Sequence, residues 1–106
     1  MTKRVVLISG AGRGGIPAWS AYSAAKFGVL GFAQAIREEL RPRGIKVTSV
    51  IPRAIDTPLW DTIPGTWNRA NMLRPEDVAR SIVQAADEPL HVSIDEIMLG
   101  HMIGRL

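Results

Sequence analysis

Ala21–Ile51 reads AYSAAKFGVLGFAQAIREELRPRGIKVTSVI, and its two ends follow different periods. Tyr22, Lys26, Val29, Ala33, Ile36 and Leu40 recur at three- and four-residue steps. They share one face of a helix running from about Ala18 to Arg41. Gly28 and Gly31 weaken that helix, each by roughly 1 kcal/mol relative to alanine. They make sense where another backbone packs closely. Pro42 and Gly44 end the helix. Ile45–Ile51, IKVTSVI, is then a short apolar run rich in β-branched residues, a strand stopped by Pro52.

Toward the N-terminus, Arg4–Ser9 (RVVLIS) is a second such run, ended by glycine. It reads as a strand buried on both faces, as in a parallel sheet. Gly10–Pro17, GAGRGGIP, is loop. Toward the C-terminus, Arg53–Arg74 has little periodicity and carries Pro58, Pro64, Gly65, Trp60 and Trp67. It predicts a covering loop with short helical turns. Pro75 opens a second helix, with Glu76 and Asp77 in the first turn where the dipole favours acids. Val78, Ile82, Val83 and Ala86 form its predicted apolar stripe, and Glu88-Pro89 breaks it. Val92–Leu99 is a third strand, and Gly100–Leu106 is tail. Alternating strands and helices define an α/β fold with a parallel sheet. Two helices are few to cover two sheet faces, so residues 1–106 read as a single partial domain.

Composition narrows the function. The chain has 106 residues, 46% hydrophobic and 22% charged, which excludes a disordered or collagen-like segment. It has no cysteine, so disulfides and thiolate chemistry are excluded. The apolar runs are strand-sized, too short for a membrane span or a secretory signal, which predicts a cytoplasmic protein with no membrane partner. The net charge is +3, too small an excess to imply nucleic acid. The densest basic stretch, Arg37–Lys46, contains Glu38 and Glu39 and reads as a solvated helix end. His91 and His101 lack ligand spacing, so no metal site is expected.

Gly10, Gly12 and Gly15 fit G-x-G-x-x-G between a strand and a helix. That dinucleotide fingerprint expects an acid at the end of the next strand. The next strand ends at Ile51-Pro52, and Asp56 is too distant. Tyr22 and Lys26 carry a better signal. They are helical neighbours four residues apart. A phenol titrates near 10, and an adjacent ammonium lowers that value. The phenol then serves as proton donor and acceptor. Ser9, ending the preceding strand, is placed to bring a hydroxyl beside it. Hydroxyl, phenol and ammonium together suit the protonation of a polarised carbonyl oxygen.

The surrounding text resembles the second half of a classical short-chain dehydrogenase/reductase. The resemblance rests on VVLIS-GAG, Pro17, AYSAAKFGVLGFAQAIREEL and GIKVTSVIPRAIDTP, and it extends to LRPEDVA and HVSIDEIML. Ser9 lies thirteen residues before Tyr22, the family's spacing. The resemblance implies part of a doubly wound, Rossmann-like parallel sheet with about three strands and two main helices. It implies NAD or NADP as cofactor and a small carbonyl or alcohol substrate. Tyr22 would be the general acid-base group. Lys26 would lower its pKa and hold the nicotinamide ribose. Ser9 would hold the substrate oxygen. Pro52, Ile55 and Thr57 would grip the nicotinamide carboxamide, and Leu59–Leu73 would lie over the substrate. The family's helix and last-strand interfaces imply a homo-oligomer. The alternative is a non-catalytic remnant that self-associates through an unpaired strand edge. Three departures stand out. Arg53 replaces the family's glycine, and so either alters the loop or adds a cofactor contact. The family's catalytic asparagine and its adenosine-binding half have no counterpart in these residues, so the isolated chain is expected to be inactive.

Overall fold

The structure is a computed structural model that describes residues 3–8 and 20–104, with only the backbone defined for residues 3–8 and 21–23. Strands β1 (Lys3–Ile8), β2 (Ile45–Pro52) and β3 (Glu96–Leu99) form one sheet in the order β1-β2-β3. Both pairings are parallel, with Lys3↔Ile45 and Ser49↔Glu96 opening the two registers. Helix α1 (Ser20–Leu40) joins β1 to β2, and α2 (Pro75–Ala86) lies between β2 and β3. Parallel neighbours need such crossovers.

β2 is the central strand, and its last six residues are buried. Alternate side chains face opposite ways. Val50 packs with Val78 of α2 and with Leu73, joined by Ile97 and Leu99 of β3. Val47, Ser49 and Ile51 therefore face α1. The C-terminal end of α1 is set by chemistry visible in the chain. A 3-10 turn, Arg41–Arg43, follows it, and Gly44 at φ 72° donates its N–H to the Arg41 carbonyl. That left-handed conformation favours glycine.

The packed face of α1 is rotated from the expected one. Ala33 is fully buried and Leu30 half-buried, whereas Val29 is 41% exposed. Arg37, expected in the solvated basic stretch, is only 6% exposed. Its Nε donates to the Val47 carbonyl at 2.9 Å, and its Nη2 donates to the Asp95 carbonyl at 2.7 Å and to Ser49 Oγ at 3.4 Å. The Asp95 carboxylate lies 3.6 Å from Nε, long enough that it adds charge rather than a directed bond. A long arginine stem lets a guanidinium reach the sheet from a core-facing position, which apolar periodicity does not register. On α2 the stripe is Val78, Ile82 and Ala85, and Val83 is exposed.

β3 is shorter than the expected Val92–Leu99 strand. Ser93 Oγ donates to the Asp95 carboxylate at 2.6 Å, a local bond that competes with ladder pairing. Thr48 Oγ1 donates to the Ile94 carbonyl, and Arg37 takes that of Asp95. Side-chain bonds thus occupy residues 93 and 94, and the ladder to β2 opens where Ser49 N–H donates to the Asp95 carbonyl at 2.9 Å. Among the described residues, none packs closely at Gly28 or Gly31: a Cβ at either would meet nothing within 4 Å.

Candidate active site

The carboxyl ends of β1 and β2 and the start of α1 carry the expected chemistry. Ser9 follows the last residue of β1 and lies outside the described residues, as do Gly10–Pro17. Tyr22 is the third residue of α1, and its side chain also lies outside them. Lys26, half-buried, sits four residues further along the same unbroken helix. Four residues of helix rise about 6 Å, so the backbone puts both on one face one turn apart.

Pro52 ends β2 and is buried; Arg53 N–H then donates to the Leu99 carbonyl at 2.8 Å. The chain stays extended beyond it. Ile55 bridges in parallel to Leu73: Leu73 N–H donates to the Ala54 carbonyl and Asp56 N–H to the Leu73 carbonyl, at 2.9 and 2.7 Å. The opposite edge carries the Ile55 N–H, the Ile55 carbonyl and the Thr57 N–H. The Ile55 carbonyl accepts Trp60 Nε1 at 2.8 Å, and the Thr57 carbonyl accepts Arg69 Nη2 at 2.8 Å. Among the described residues, the Ile55 N–H, the Thr57 N–H and the Thr57 hydroxyl bond to no protein group. Two N–H donors and a hydroxyl fit a primary carboxamide, which offers one carbonyl and one NH2 group. The expected carboxamide segment is therefore chemically suited to a nicotinamide.

The covering loop is built, not slack. Pro58–Thr62 and Arg69–Asn71 are 3-10 turns. Arg69 ties them together: Nε donates to the Asp56 carboxylate at 2.6 Å and Nη1 to that of Asp61 at 2.5 Å. Those two carboxylate bonds raise the guanidinium further above its ordinary value, so it stays charged at any working pH. Trp60 and Trp67 meet edge to face with ring centroids 5.0 Å apart, and Trp67 Nε1 donates to the Ile63 carbonyl at 3.3 Å. The sequence reading named the tryptophans but missed Arg69. Its partners stand eight and thirteen residues upstream, a separation that follows no local repeat.

Among the described residues, no group of three histidines or acids is placed to hold a metal, and no helix is long and apolar enough to cross a membrane. The Arg53 side chain runs over Gly100 and toward Gly104, beside the tail after β3.

A parallel sheet with helices on both faces and ligand-type segments at its carboxyl edge defines the doubly wound α/β class. Within it, the profile of the short chain dehydrogenases matches residues 3–66, and the chain belongs to that family of oxidoreductases. It is 38% identical over 77 residues to an uncharacterized oxidoreductase of Staphylococcus saprophyticus, covering 72% of this chain and 32% of that protein. It is 35% identical over 80 residues to a sepiapterin reductase of Chlorobaculum tepidum, covering 76% and 32%. A glycine betaine reductase of Emericella nidulans is 38% identical over 103 residues, covering 90% and 8%. The chain thus spans about a third of these two bacterial relatives. The same fold occurs in a β-ketoacyl-[ACP] reductase from Bacteroides thetaiotaomicron, with a TM-score of 0.79, 22% identity, and coverage of 94% of this chain and 42% of that one. It recurs in an alcohol dehydrogenase from Thermococcus sibiricus solved with 5-hydroxy-NADP, with a TM-score of 0.78, 20% identity, and coverage of 97% and 43%.

Proposed function

We propose that residues 1–106 are the carbonyl-side half of a short-chain dehydrogenase domain that interconverts a carbonyl and an alcohol with NAD or NADP. When bound, the nicotinamide supplies or accepts the hydride at carbon. This chain's own residues then manage the oxygen. In reduction, the Tyr22 hydroxyl gives its proton to the oxygen as the carbonyl electron pair collapses onto it. In oxidation, the phenolate takes that proton back. Lys26, a turn away, favours the phenolate electrostatically and is placed for the ribose. Ser9 holds the substrate oxygen. The carboxamide is received by the segment from Pro52 to Thr57.

The observation that carries this reading is the open edge of that segment. It offers the Ile55 and Thr57 N–H groups and a hydroxyl, and it follows the central strand of a family-typical sheet. The test supplies the cofactor-binding half, fused to or mixed with this chain, and follows nicotinamide absorbance with a ketone or an alcohol. Turnover abolished by Tyr22→Phe is expected. Turnover unchanged in that variant contradicts the assignment.

A second reading, a non-catalytic self-associating chain, draws on the uncovered face of α1 and β3. Phe27 and Phe32 are 60% and 62% exposed, and Met98 is 72% exposed. Such apolar surface favours association. A monomer in sedimentation at micromolar concentration would exclude it.

A further inference from the structure

We propose that Arg53 is an anion anchor at the carboxyl edge of the sheet, receiving a carboxylate or phosphoryl oxygen of the bound ligand. Three observations converge on it. The first is position. Arg53 is the residue after β2, and its N–H bonds to the last carbonyl of β3. Ligands of open α/β sheets gather at this edge.

The second is seating. Gly100 has no side chain, and the Arg53 stem occupies the space one would take. An ideal Cβ there would stand 2.9 Å from Arg53 Cδ and 3.4 Å from Nε. Further on, Nη1 lies 3.8 Å from the Cβ position of Gly104, which holds φ 73° in a turn closed onto the His101 carbonyl. The stem is thus laid down across the glycine, and less rotamer freedom remains to be lost when the guanidinium takes a ligand.

The third is the missing counter-ion. Arg37, Arg41, Arg69 and Arg80 each face a carboxylate within 4 Å. Among the described residues Arg53 faces none. The Arg43 and Arg74 guanidinium groups form no ion pair with a described carboxylate either, but Arg43 lies at the opposite end of β2 and Arg74 opens α2, with its N–H on the Asp77 carboxylate. A guanidinium held at the carboxyl edge, whose five donors bond no described residue, is suited to a bidentate anion.

The geometry also sets a length. Strands lie about 4.8 Å apart, so the ends of β1 and β3 are roughly 10 Å apart. If the reacting oxygen sits beside β1, which rests on the function proposed above, the anion belongs about that far from it. A keto acid with a medium-length chain between its carbonyl and its carboxylate spans this distance; the phosphoryl groups of a nucleotide are the other source of the same chemistry.

The test is an amide-resolved NMR titration of the 15N-labelled 106-residue chain at fixed ionic strength, needing no turnover. The probes are sodium propionate, inorganic phosphate, nicotinamide mononucleotide and, as a neutral control, propionamide. Saturable shifts of the Arg53 Nε–H and of the Gly100 and Gly104 amides are expected with an anion and absent with propionamide. Response to propionate alone assigns a carboxylate substrate; a tighter response to the mononucleotide than to phosphate assigns the cofactor. Arg53→Gln should weaken binding about tenfold or more. Gly100→Ala keeps the charge but displaces the stem, and should weaken it several-fold. Tyr22→Phe should leave the propionate and phosphate responses unchanged, so this inference and the catalytic one fail separately. No shift with any anion, or equal affinity in Arg53→Gln, overturns the proposal.

Discussion

Two arginines flank the same strand and have opposite surroundings. Arg37 reaches the first half of β2 from α1, is nearly inaccessible, and spends its donors on the Val47 and Asp95 carbonyls and on Ser49. Arg53 leaves the far end of β2, is exposed, and spends none of its guanidinium donors on a carboxylate of the described residues. The first guanidinium bonds the Val47 carbonyl and adds a second donor to the Asp95 carbonyl, which also accepts the Ser49 N–H. The second stands at the carboxyl edge of the sheet, where the ligand is proposed to lie. The contrast separates a structural end of the sheet from a chemical one, and the Arg69 strap belongs to the chemical end.

The largest expected effect falls on the chemical end. In the completed enzyme, Tyr22→Phe should lower turnover by about 10²–10⁴-fold, the usual value of a positioned acid-base group, while circular dichroism stays unchanged. Arg37→Ala should do the reverse. It removes the charge-assisted bonds to the Val47 and Asp95 carbonyls and to Ser49 and should cost about 3 kcal/mol in urea unfolding, with turnover per folded molecule retained. Equal losses of turnover in the two variants would erase the distinction. Leu73→Ala, which hollows the cluster around Val50 and Val78, should cost about 2–4 kcal/mol by the same measurement.

Arg69→Ala should act more locally. The Trp60–Trp67 pair should separate, seen as weaker near-ultraviolet dichroism and red-shifted emission, with the helical signal intact. The smallest effect concerns pH. Asp77 accepts the Arg74 N–H at 2.9 Å and pairs with Arg80 at 2.8 Å. The backbone bond first, and Arg80 second, hold its carboxyl below the ordinary value of 3.8. A carboxylate lowered by folding binds protons less readily in the folded chain than in the unfolded one. Its contribution is therefore complete above the unfolded value and is lost as pH falls through the folded one. Asp77→Asn should flatten stability in that acid range and leave it nearly unchanged in slope near neutrality.

Much of this fold was legible because it is written in periods. The apolar runs of β1 and β2, the proline opening α2 and the glycine closing the turn after α1 all appear where the chain places them. What was not legible depends on long-range bonds. Arg37 looked solvated because its glutamate neighbours are solvated; only the sheet supplies its acceptors. β3 is shorter than expected because Ser93 bonds locally to the Asp95 carboxylate and Thr48 takes the Ile94 carbonyl, so backbone pairing opens only where Ser49 N–H meets the Asp95 carbonyl. In the candidate site, Pro52, Ile55 and Thr57 could be picked out through the family resemblance. The Arg69 strap and the seat of Arg53 on Gly100 required the folded backbone, since neither pair is close in sequence.

Tyr22 is the chain's single tyrosine, so its ionisation can be followed directly by ultraviolet difference absorbance. The midpoint should lie well below the ordinary phenol value of about 10, and Lys26→Met should move it back up. A midpoint near 10 that ignores the lysine would contradict the account.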